Sequence, residues 1–308
     1  MNPTPKMQRE RVSHLKGPPD LQARVRSVVV WLSVIPASIL GDIICHAVLN
    51  VDRPRWLDLA NLVFLALLLV ITRVVSGLKP LQGYLVSLVA LDIGYAVGNL
   101  IESTSRWAAW RARVPTHQFI FADSLIELIP CALLGLSLIG SGMNRRNIFL
   151  QRGNMSALAR LPFGLPAISW KWLGPFLILF LAGGLAAQLM STVRPDFRTV
   201  QRAVSGLPWA IAFAAFNAAQ EEFRFRVVLL GRLIPCVGAG KALLVTTVIF
   251  GLAHWFGHPS GLSGVFLAGF AGWLWGKSIV DTQGFTWAWL IHGLQDVVIF
   301  LFLLMAGQ

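Results

Sequence analysis

The sequence is short of charge. Asp, Glu, Lys and Arg together make up 13% of its 308 residues, against roughly 25% in soluble domains. The length alone would allow two soluble domains, but a water-facing surface cannot be built from so few charges, and that class is excluded. Acids are scarcer than bases, 14 against 26, so the net charge of +12 reflects missing acids more than abundant bases. Because those bases flank apolar stretches, no nucleic-acid partner is expected either. There are three cysteines, Cys45, Cys131 and Cys236, too few for a disulfide framework and without metal-ligand spacing. An extended low-complexity tract and an internal repeat are also missing.

Apolar residues are abundant, 56% of the chain, with a mean hydropathy of +0.66. The expected class is an all-α, polytopic integral membrane protein with eight to nine transmembrane helices and lipid as its main solvent. Nine apolar stretches are long enough or nearly so: 28–49, 58–76, 83–101, 119–140, 173–193, 208–231, 242–257, 261–280 and 286–306. The seventh is short and ends at His258-Pro259, so eight spans with one re-entrant segment is the close alternative. The first stretch runs about 22 residues, beyond the roughly 7–15 of a signal-peptide core, and reads as a retained span. Bases concentrate in residues 1–27 (Lys6, Arg9, Arg11, Lys16, Arg24, Arg26) and in the loop 141–172 (Arg145, Arg146, Arg152, Arg160, Lys171). By the positive-inside rule these segments are cytoplasmic. The chain divides into a basic N-terminal segment (1–27), transmembrane helices with a basic loop (28–172) and a C-terminal transmembrane core (173–308). A composition rich in Ala, Leu and Arg fits a bacterial inner membrane, with the N-terminus in the cytoplasm.

Ionisable groups are costly inside lipid, about 2.5–3.5 kcal/mol each at mid-helix on translocon scales. Seven acids fall within the expected spans: Asp42, Asp92, Asp123, Glu127, Glu221, Glu222 and Asp296. The first four stand alone and read as helix-packing hydrogen bonders. The C-terminal core is different. Asn217-Ala-Ala-Gln-Glu221-Glu222-Phe-Arg-Phe-Arg226 places a di-acid and an arginine in one apolar helix. Glu222 and Arg226 are i,i+4 neighbours that can pair; Glu221 lies on a face about 100° away and is left as a candidate base. A charge-neutral ion-pair knot between helices is the competing reading of this segment. Phe250-Gly-Leu-Ala-His254 lies on the next stretch and His292-Gly-Leu-Gln-Asp296 on the last. Counted from the span ends at 1.5 Å per residue, Glu221 and His254 lie about 20 Å deep and His292 and Asp296 about 9–15 Å, so the four can meet in one cavity. Small residues at Ser260, Gly264, Ala268, Gly272 and Gly276 form a ridge for close helix packing. Trp273, Trp275, Trp287 and Trp289 suit an interfacial belt.

The order Glu-Glu-x-x-x-Arg, Phe-x-x-x-His, His-x-x-x-Asn/Asp resembles the CAAX-prenyl-protease and bacteriocin-processing family of intramembrane proteases, over about residues 205–305. That resemblance makes 173–308 a protease core and the function an intramembrane endopeptidase acting on a membrane-proximal peptide or protein, with or without a lipid modification. It implies Glu221 as the base that activates water and His254 as the group that holds it. It also implies His292 and Asp296 at the oxyanion, with Glu222, Arg226 and Phe250 supporting the site and the substrate. An ionised Asp296 cannot donate a hydrogen bond and would orient His292 instead. No cofactor is expected. The alternatives are a zinc-dependent intramembrane protease, against which the absence of His-Glu-x-x-His counts, a proton-coupled carrier and a non-catalytic scaffold.

Overall fold

The computed structural model describes residues 21–54, 56–160, 166–193, 195–257 and 259–306. The N-terminal basic segment up to residue 20, Arg55, Arg194 and the His258 end of the seventh stretch lie outside the described residues. The described chain is nearly all α-helical, as expected; its exception is a two-stranded antiparallel pair, β1 (Leu158–Ala159) and β2 (Ile168–Ser169), inside the basic loop.

The first apolar stretch is not one rod. α1 (Leu21–Ala37) and α2 (Leu40–Val48) meet at 59°. The break falls at Ser38-Ile39, two residues past Pro36. α3 (Trp56–Val74) is joined to α4 (Gln82–Glu102) by the 3₁₀ turn Ser76–Leu81. A short α5 (Ser105–Arg111) is capped by Thr104, whose hydroxyl accepts the Trp107 N–H at 3.2 Å. The fourth stretch is split at Glu127 into α6 (Thr116–Ile126) and α7 (Leu128–Gly140). α4 and α7 cross at Gly94, where a side chain would overlap the Pro130 backbone.

The C-terminal core begins with α8 (Trp170–Val193) and α9 (Phe197–Glu222). α9 starts well before the apolar stretch at 208, because Asp196 forms a capping box with Thr199, satisfying the first free backbone donors. The Thr199 N–H also holds the Asp196 carboxyl below the usual range. α9 runs on through a π-helical turn, Phe223–Leu230, into α10 (Gly231–Val237). α11 (Ala239–Ala253), α12 (Gly261–Thr282) and α13 (Thr286–Ala306) complete the fold. α9 lies along α13, α11 along α12, α8 against α13, and α4 between α3 and α7. Every residue from 224 to 233 is buried, so the π turn is the centre of the molecule.

Five helical segments are long and apolar enough to cross a membrane, Trp56–Val74, Ser76–Glu102, Gln118–Gly140, Trp170–Ser191 and Thr286–Met305, and the bent pair α1–α2 makes a sixth. Their outward faces are oily: Trp172, Phe176, Leu179 and Phe180 of α8 are all exposed. The chain is an integral membrane protein. The count of eight to nine is not reached by this measure. The shortfall lies in the stretches 208–231, 242–257 and 261–280. The first carries the di-acid and two arginines, α11 is 15 residues long and so about 22 Å, and α12 is diluted by glycine and ends in Lys277 and Asp281.

The small-residue ridge of α12 is used as expected at three of its positions. Gly264 faces the His254 carbonyl, Gly272 faces Arg226 and Phe250, and Gly276 faces Leu243. Opposite it, a Cβ on Gly251 would sit 2.7 Å from the Val265 carbonyl oxygen and 3.2 Å from the Gly269 Cα. Both neighbours are backbone and cannot turn aside. Gly251→Val is therefore expected to cost about 1–3 kcal/mol, read as a lower unfolding midpoint of the detergent-solubilised protein. Gly240→Ala, at a helical position with nothing within 4 Å, is expected to leave that midpoint unchanged or slightly higher.

Candidate functional site

Glu221 and Glu222 end α9 immediately before the π turn, and their 100° separation sends them to different surroundings. Glu222 is fully buried. Its Oε1 forms an ion pair with Arg226, 3.1 Å away, and accepts a hydrogen bond from His292 Nδ1 at 3.0 Å. Glu221 instead lines a cavity of about 330 Å³, whose wall also includes Asn217, Glu127, Arg224, Phe250 and His254. Glu221 Oε2 has no hydrogen-bond partner; His292 Nε2 is 3.6 Å from it.

Arg226 sits where no water reaches. Besides Glu222 it has aromatic faces around it, Phe250 with its ring centroid 4.0 Å away and Trp275 at 5.2 Å. Gly272 leaves the space its guanidinium fills. A carboxylate and the quadrupoles of two rings together offset the loss of hydration that an isolated guanidinium would suffer.

The histidines are held in different ways. His254 terminates α11, with Nδ1 2.9 Å from the Phe250 carbonyl. A carbonyl only accepts, so Nδ1 carries the hydrogen and Nε2 is left for solvent or substrate. His292 lies nearly parallel to Trp275, centroids 3.9 Å apart at 12°. Its Nδ1 is engaged by Glu222, and its Nε2 is 3.5 Å from Asp296 Oδ1. Asp296 Oδ2 accepts from the Asn217 amide at 3.0 Å. His292 and Asp296 are both buried and stand behind Glu221 rather than on the cavity wall.

The structure thus brings Glu221, Glu222, Arg226, His292 and Asp296 into one cluster, with Phe250 beside Arg226 and His254 across the cavity. The expected depth difference between the histidines does not keep them apart. Three participants escaped the sequence. Trp275 is not part of an interfacial belt, since its ring is 4% exposed and stacked on His292. Trp287 and Trp289 are likewise tied inward, donating to the Met155 carbonyl at 3.1 Å and the Ala215 carbonyl at 2.9 Å. Arg224 forms an ion pair with Glu127 and contacts the Tyr95 hydroxyl at 3.3 Å. Glu127, which reads as a lone packing acid in the sequence, is therefore a counter-ion. The pair spans 97 positions, and no local spacing announces it. Among the described residues no three His, Cys, Asp or Glu side chains are arranged to hold a metal ion.

Residues 203–298 match the family model of the Rce1-like type II CAAX prenyl endopeptidases, a protease family. The match covers about a third of the chain, from α9 into α13, and contains every member of the cluster. No curated protein and no solved structure matches the chain.

The cluster itself yields a stability prediction. Arg226→Met removes the counter-ion of a carboxylate that cannot reach water and is expected to cost about 3–5 kcal/mol, seen as a large drop in unfolding midpoint. Glu221→Gln, at a side chain 20% exposed on a cavity wall, is expected to leave that midpoint nearly unchanged.

Proposed function

We propose that the chain is an intramembrane endopeptidase that hydrolyses a peptide bond of a membrane-proximal substrate with water activated by Glu221 and His254. One observation carries this reading. Glu221 and His254 line the same small cavity, within a segment that matches a protease family.

In the proposed reaction, water in the cavity donates a proton to Glu221, and its oxygen adds to the carbonyl carbon of the scissile bond. His254, fixed through Nδ1, accepts the second hydrogen of that water at Nε2 and so orients it. The carbonyl oxygen takes on negative charge as the tetrahedral intermediate forms. Stabilising that charge with fixed donors is the largest single contribution to catalysis of this kind. Asn217 offers the second hydrogen of its amide from the cavity wall, while His292, held through Nδ1 by Glu222 and 3.6 Å from Glu221 Oε2, positions that carboxylate from behind. When the intermediate collapses, the C–N bond breaks and the leaving amine takes the proton from Glu221. Asp296 accepts from Asn217 and lies against His292, so it acts as an orienting group rather than an oxyanion donor. No metal takes part in these steps. A lipid-modified peptide and an unmodified one are both compatible with this chemistry. The bacterial inner membrane, with the N-terminus in the cytoplasm, is the location we assign from the distribution of bases. The zinc enzyme, the carrier and the scaffold draw no support from the match at 203–298.

Glu221→Gln is expected to lower cleavage by a factor of about 10³ or more, and His254→Ala by about 10²–10⁴, both in folded protein. The substrate can be found in the same experiment by mapping protein termini in cells expressing the wild-type chain or Glu221→Gln. A membrane-proximal terminus present only with the wild type supports the reading. Identical termini in the two strains, or cleavage by purified protein that ceases on exhaustive chelation and returns with zinc, would sink it.

A further inference from the structure

A second, larger cavity of about 630 Å³ adjoins the first, and Tyr95, Phe225 and Ala253 belong to both walls. That volume is within the roughly 300–1,000 Å³ of ligand pockets. Its charged lining consists of Asp42, Arg53, Asp58 and Asp92, with His46 at the side. Two of the carboxylates are committed. Arg53 Nε is 2.6 Å from Asp42 and NH1 is 2.9 Å from Asp58. Asp92, on α4, is not committed: its Oδ2 is shut off from solvent and has no hydrogen-bond partner. One arginine against three carboxylates leaves the lining with two negative charges in excess. An anionic group would be repelled there. An apolar side chain would leave Asp92 desolvated and unpaired, which is costly. A cation in the cavity offsets the excess negative charge.

The origin of these residues also matters. Each charged residue of the larger cavity comes from positions 42–92, outside the segment 203–298 that contains the proposed catalytic set. The reacting groups and the charges of this pocket are therefore supplied by different parts of the chain and meet at a shared wall.

We propose that the larger cavity is a specificity pocket that takes one basic side chain, lysine or arginine, of the peptide cut at Glu221, with Asp92 as its counter-ion. This inference rests on the endopeptidase reading. Because the cavities abut, the basic residue falls within a few positions of the cleaved bond.

The test uses acyl-anchored fluorescent peptides of degenerate sequence in detergent micelles, in which a single lysine, norleucine or glutamate is walked along the chain. Binding is read by polarisation with the full-length Glu221→Gln protein, so that turnover does not intervene, and cleavage is read with wild type. At one position lysine is expected to bind about tenfold more tightly than norleucine, with glutamate weaker still. Asp92→Asn should bring the lysine-to-norleucine ratio close to one, and Asp92→Lys should reverse the preference toward glutamate. The comparison between peptides needs no change in the protein, so a poorly folding Asp92 variant does not spoil it. Equal binding of lysine and norleucine peptides at every position overturns the proposal, as does a lysine preference that survives Asp92→Asn. The two readings separate cleanly. Cleavage without any lysine dependence removes the pocket and leaves the peptidase. Lysine-dependent binding with no cleavage by wild type upholds the pocket and removes the peptidase.

Discussion

The Glu222 carboxylate is the point on which the C-terminal core depends. It is fully buried, and one oxygen is shared between Arg226 at 3.1 Å and His292 at 3.0 Å. Through Arg226 it reaches Phe250 of α11 and Trp275 of α12, and through His292 it reaches α13. Four helices therefore meet at one ion pair. Such a pair is costly to break, because both charges have left water and either one alone would be stranded. Keeping it together fixes the rotation of α9, and the rotation turns Glu221 toward the cavity. Glu222 thus positions Glu221 without being on the cavity wall.

The π turn that follows extends this logic to the rest of the molecule. Arg224 and Arg226 are two residues apart, so on a helix they point in nearly opposite directions. Arg226 is claimed by the C-terminal core. Arg224 is claimed by Glu127, between α6 and α7, and by Tyr95 of α4. A single buried segment, residues 224–233, therefore binds the two halves of the chain to each other with charges of the same sign facing opposite ways. π turns inserted in α-helices recur at functional sites, and here the turn sets the separation between the two arginine anchors.

Much of this was legible in the sequence, and what was not has a physical reason. Composition settles the helical membrane class. The i,i+4 spacing of Glu222 and Arg226 announces their pairing, since helix geometry alone brings them together. The meeting of His292 with the di-acid could be anticipated only loosely, from depth. Helical periodicity shows which residues share a face and not which helix that face meets, so Trp275 read as a belt residue and Arg224–Glu127 went unnoticed. Boundaries failed where local chemistry overrode hydropathy. The first stretch bends at Ser38-Ile39, and the Asp196 capping box starts α9 among polar residues. The span count fell short in the helices that carry the chemistry, because the residues that make a site are those that hydropathy penalises.

The same penalty explains why two cavities stand side by side. An acid in the apolar interior must find a counter-ion or water, or give up its charge. Asp42 found Arg53 and Glu127 found Arg224. Glu221 and Asp92 each keep an oxygen without a hydrogen-bond partner, and each lies on a cavity wall. Hydrolysis inside a membrane needs both a water supply and a place to hold an extended peptide. Two neighbouring cavities that share Tyr95, Phe225 and Ala253 in their walls can supply both. The uncommitted carboxylates are then not failures of packing: one waits for a water and the other for a charge, and the substrate that brings the charge also brings the bond to be cut.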